Sequence, residues 1–109
     1  MRLIPSEIRV ILREARDAGA WAVHLVPGRP PLMRMKAGGD LRPVREELPV
    51  LEGKYVLAFL STVIEPEGWG PFDREGQGEL ATVLPKVGEV VVAAYRSGGE
   101  WCGVVHFQS

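Results

Sequence analysis

Few side chains in this sequence combine the type and spacing that chemistry requires. His24 and His106 are its two imidazoles, and Cys102, its one cysteine, precedes His106 by four positions. On a strand, that spacing puts thiol and ring on one face. If the first and last strands are neighbours, His24 approaches them there. A zinc site would still need further carboxylate or thiolate ligands at suitable spacing, so ordinary hydrogen-bonded strand histidines are expected. A nucleophilic Cys102 would need a positioned base and a lowered pKa, and the sequence offers no such arrangement. Glu46-Glu47 and Glu65/Glu67 are carboxylate pairs, but acids this close in sequence rarely face one another, and no glycosidase-type motif supports them. Gly38-Gly39-Asp40 and Gly98-Gly99 do not open helices, so they read as hairpin turns rather than phosphate loops. The one Gly-Lys step, Gly53-Lys54, is followed by Tyr55 and has Leu48 five positions before its glycine. A Walker A loop needs glycine there and Ser or Thr after the lysine, so that backbone N–H groups surround the phosphates. No catalytic, metal or cofactor-binding residue is therefore expected, and no cofactor.

What remains suits contact better than catalysis. Arg29, Arg34 and Arg42 cluster near the first hairpin and offer a patch for an anionic or protein partner. Of the three tryptophans, Trp21 and Trp101 are expected in the core. Trp69, flanked by Gly68 and Gly70, is expected to be exposed and to anchor a partner.

The elements that position these residues follow from periodicity. Ile8, Ile11, Leu12 and Ala15 form one apolar stripe, which predicts a helix from about Pro5 to Ala18, capped by Ser6 or Ile4 and stopped by Gly19. The period then changes to two. Trp21–Val26 and Leu32–Lys36 read as strands on either side of a proline-rich turn, and Leu41–Val44 as a short return strand that Pro43 places at an edge. Leu48–Ile64 is apolar on much of its circumference and reads as a buried helix. Pro66, Gly68, Gly70 and Pro71 end it in a loop carrying Trp69 and Phe72. Glu79–Leu84, Glu89–Arg96 and Trp101–Gln108 read as three strands, the middle one buried on both faces or central in the sheet. The order α-β-β-β-α-β-β-β predicts an α+β fold with a mostly antiparallel six-stranded sheet, helices covering one face. PAS-like and roadblock-like folds both lie near this order.

At 109 residues the chain has room for one domain. Thirteen basic residues against fourteen acidic ones give no reason to expect nucleic acid. The lone cysteine excludes an internal disulfide. No stretch approaches the roughly 20 apolar residues of a membrane span, and the N-terminus lacks a signal-peptide pattern. A cytoplasmic setting without membrane insertion is the expectation.

The segments Ala18–Leu25, Gly28–Met35 and Gly39–Pro43 carry a resemblance. With His24-Leu25, Gly28, Pro30-Pro31 and Arg34 at matching spacing, they look like the opening of the N-terminal, PAS-like domain of pilus and secretion ATPases of the PilT and GspE type. Val90–Arg96 and Trp101–Phe107 resemble its closing hairpin, so the similarity spans nearly the whole chain. It departs where Trp21-Ala22 replaces the usual Ser-Asp, and by one extra glycine at Gly38-Gly39. The resemblance implies a PAS-like, non-catalytic interaction or regulatory module of type IV pilus, twitching-motility or type II secretion machinery. It implies a protein partner from that machinery. A sheet edge or an uncovered face could also pair two copies. A small-ligand or nucleotide second-messenger sensor is the alternative, and the chain could equally be the N-terminal piece of such an ATPase.

Overall fold

The structure, a computed structural model, describes residues 2–108. Helix α1 spans Pro5–Asp17 and buries Ile8, Ile11, Leu12 and Ala15. Its N-cap is Ile4, which provides no side-chain cap. Pro5 is tolerated because the first N–H groups of a helix have no internal partner. The chain leaves α1 through Gly19 at φ +90°, a conformation that glycine adopts without strain. Strands β1 (Ala20–Leu25), β2 (Leu32–Met35) and β3 (Arg42–Pro43) follow, then helix α2 (Gly53–Val63), a 3-10 turn (Pro66–Gly68) and helix α3 (Trp69–Glu75). Strands β4 (Gln77–Leu84), β5 (Gly88–Ser97) and β6 (Glu100–Phe107) complete the order.

All six strands form one sheet in the order β3-β2-β1-β6-β5-β4, antiparallel throughout. Each half is a meander of neighbours in sequence, and the β1–β6 pair joins the halves at the centre. Side chains alternate between faces. Val23, Leu25, Met33, Val90, Val92, Ala94 and Val105 form one side and are buried in a single core with residues of α1 and α2. Phe59 and Leu60 of α2 are fully buried. Side chains of this size each contribute about 1.5–3 kcal/mol on complete burial. Gly103 of β6 lets α2 come close, since a Cβ there would lie 3.2 Å from Leu60 Cδ2. Among the described residues, the other face of the sheet carries no helix.

Three expectations change. The segment expected as a loop holds a 3-10 turn and α3, with Pro66 and Pro71 in first-turn positions where a missing N–H costs nothing. Helix α2 begins at Gly53 rather than Leu48. Leu51 instead exchanges backbone hydrogen bonds with the β1–β2 turn, accepting from the Gly28 N–H and donating to the Arg29 carbonyl, both at 2.8 Å. Strand β5 is paired on both sides, by β4 and β6, but is buried on one face only, because Val91, Ala93 and Tyr95 point to the helix-free side and stay partly exposed.

Candidate functional site

The helix-free face gathers the unusual side chains. In β1, Ala20 pairs with Met35 but Ala22 with Arg34, which leaves Trp21 as the extra residue of a bulge. A bulge breaks the alternation of faces. Ala20 therefore turns into the core at 1% exposure, while the Trp21 indole projects outward at 56%. Trp21 lines a shallow, open cleft of about 670 Å³ with Lys36, Glu79, Val91, His106 and Gln108. His106 lies opposite Ala22 on the neighbouring strand, and His24 lies opposite Val104. Both imidazoles thus share this face with Arg34. Partial burial lowers the His24 pKa from its ordinary value, and the charges of Arg34 and His106 lower it further.

Cys102 and Tyr95 are directly opposed on β6 and β5. Burial raises the Cys102 thiol, against a smaller lowering by its hydrogen bond to Tyr95, and burial likewise raises the Tyr95 hydroxyl. A protonated, buried thiol is a poor nucleophile. Among the described residues, no group of three or more His, Cys, Asp or Glu is placed to hold a metal. Glu46, Glu47, Glu65 and Glu67 are exposed on connecting segments. Gly38, Gly39, Gly98 and Gly99 all have positive φ in turns. Lys54 at the start of α2 pairs with Glu52 at 4.0 Å and lies 5.1 Å from the Tyr55 ring centroid.

The expected partner residues do not form one patch. Arg29 is exposed in the β1–β2 turn, and Arg34 projects from the helix-free face, with its guanidinium 3.4 Å from the Gly39 carbonyl. Arg42 is paired with Met33 and so leaves the opposite face of the sheet. Trp69 and Trp21 exchange roles. The Trp69 ring is half-buried, with its centroid 5.9 Å from Phe72 and 5.1 Å from Trp101, and these tilted contacts make it part of the core margin. Trp21, placed in the core by strict alternation with Val23 and Leu25, is the exposed tryptophan instead. The pattern around it does not mark a bulge, so that exchange had no local signal. The resulting face has an indole, two imidazoles, two cations, the Glu79 carboxylate and small aliphatics. It can pack against apolar surface and donate hydrogen bonds.

No family model and no curated protein matches the chain. Solved structures do. The pilus retraction motor PilT, in a crystal structure with bound ADP, superposes with a TM-score of 0.79 at 18% identity, over 91% of this chain and 28% of that one. The Legionella pneumophila ATPase DotB superposes with a TM-score of 0.78 at 13% identity, over 100% of this chain and 30% of that one. The chain therefore spans less than a third of either ATPase, and it shares with that portion a fold.

Proposed function

We propose that the chain is a non-catalytic, PAS-like docking module of the type carried at the N-terminus of pilus-retraction and secretion ATPases, and that it engages protein components of such machinery through its helix-free face. The observation that carries this reading is the overlap of nearly the whole chain with under a third of PilT. A unit of that extent, with helices on one side of its sheet only, has a second face available for another protein. The exposed Trp21 is the residue type that most often dominates protein contacts. The type IV pilus and type II secretion systems are the proposed setting, in the cytoplasm.

The test is a photo-crosslinking amino acid placed at Trp21 in the producing cell, with a second at exposed Val10 on α1 as reference. Adducts at position 21 with pilus or secretion components are expected. Adducts that are the same from both positions, or none from position 21, would reject the docking face. ATP turnover by the purified chain would reject the non-catalytic reading.

Ligand sensing has one observation in its favour, the Trp21 cleft with Lys36 and His106 on its walls. A thermal-shift panel of nucleotides and metabolites separates the two readings. A ligand at one hundred times its dissociation constant adds about 2.7 kcal/mol, and a rise abolished by Trp21→Ala would favour the sensor.

A further inference from the structure

The sheet ends on one side in β4, an eight-residue strand that pairs only with β5. From Gln77 to Val83, its outward backbone groups meet no other backbone group among the described residues. The opposite edge, β3, is two residues long and contains Pro43, features that discourage strand addition. Strand β4 contains neither proline nor lysine, and its Val83 is 65% exposed. Beside it on the helix side runs a groove of about 400 Å³, lined by Val63, Ile64, Phe72 and Leu80, with Glu65 and Glu67 on its wall. Glu79 stands on the strand itself, and Glu75 lies just before its start. These four carboxylates are exposed, and none is in an ion pair among the described residues.

We propose that the β4 edge accepts a cationic, extended segment of another protein as a seventh strand. The unpaired backbone groups supply the ladder, as in other cases of strand addition. Alternate aliphatic side chains of the incoming segment enter the groove beside Leu80. Its Lys or Arg side chains meet Glu65 and Glu67 on one face and Glu75 and Glu79 on the other. The charge selects the occupant. Two β4 strands pairing about their own midpoint would set Glu79 opposite Thr82 of the other copy, which offers that carboxylate no cation, whereas a cationic segment does. The proposal does not rest on the pilus and secretion reading, which concerns the helix-free face around Trp21, although Glu79 lies on that face as well.

The probe is a fluorescent nonapeptide of Arg, Val and Thr, compared with an otherwise identical peptide N-methylated at alternate residues and with one bearing Glu for Arg. The purified chain is expected to bind the first and neither of the others, more weakly as salt rises. Hydrogen exchange is expected to slow within residues 77–84. The charge reversal E65K/E67K, at two exposed positions, is expected to weaken binding about 10-fold, and Trp21→Ala to leave it unchanged. Failure of the cationic peptide to bind would overturn the proposal. So would equal binding of the N-methylated peptide or by E65K/E67K, and so would protection centred on the Trp21 cleft. A concentration-dependent dimer with β4 protected would replace the foreign segment by a second copy.

Discussion

His24 sits half-buried with Arg34 and His106 on its own side of the sheet. Each of these influences opposes its protonation, so its folded pKa lies below the ordinary 6.5. The unfolded chain then takes up the proton more readily. Stability from this residue is present above 6.5 and is lost as pH falls through that value toward the folded pKa. Denaturant midpoints across this range are expected to fall with acidification, and His24→Gln is expected to flatten that part of the profile. A profile unchanged by the substitution would show that the ring is freely solvated. Cys102 yields a second prediction at this scale. It is 2% exposed and its thiol is held protonated, so a maleimide should modify the native chain far more slowly than the denatured chain, by mass spectrometry. Equal rates would place the thiol at the surface.

Among the elements, local periodicity made α1 and β2 legible, because each buries one face at a regular interval, while β5 was legible as an apolar run and β1 as an alternation that its bulge breaks at Trp21. Helix α3 was hidden by its own residues. Pro66, Gly68, Gly70 and Pro71 read as breakers, yet the short helix is held by contacts that sequence spacing does not display. Phe72 lies over Gly78 of β4, where a Cβ would come within 2.6 Å of the Phe72 ring. That ring is 8% exposed and packs against Trp69, so it has little room to yield. Gly78→Ala is expected to cost about 1–3 kcal/mol through overpacking. Thermal melts should show that loss reduced in a Phe72→Leu background, and equal losses in both backgrounds would exclude the contact as the cause. The bulge in β1 had the same invisibility, because it depends on pairing with β2. Its consequence is measurable: Trp21→Glu should change stability by no more than about 0.5 kcal/mol, whereas Trp101→Ala should cost about 3–5 kcal/mol. Chemical denaturation of both variants checks this, and a comparable loss for Trp21→Glu would return that indole to the core.

For the whole molecule, the α+β class and the six antiparallel strands followed from element order, since consecutive hairpins leave few alternatives. The candidate site was less legible. Arg29, Arg34 and Arg42 are near in sequence, but the pleat of β2 and β3 sends Arg34 and Arg42 to opposite sides. The Trp21 cleft instead draws on β1, β4, β5 and β6 together, an arrangement visible only once the halves are joined.

That joining has a consequence for biosynthesis. Strand β6 is flanked by β5 and β1, so the ribosome has made the first meander and the β4–β5 hairpin before it makes the strand that unites the two halves. Nascent chains stalled with residues up to Gly99 outside the exit tunnel should remain open to protease, and those with Phe107 outside should become resistant. Resistance at the shorter length would mean that the first meander and its helices close on their own.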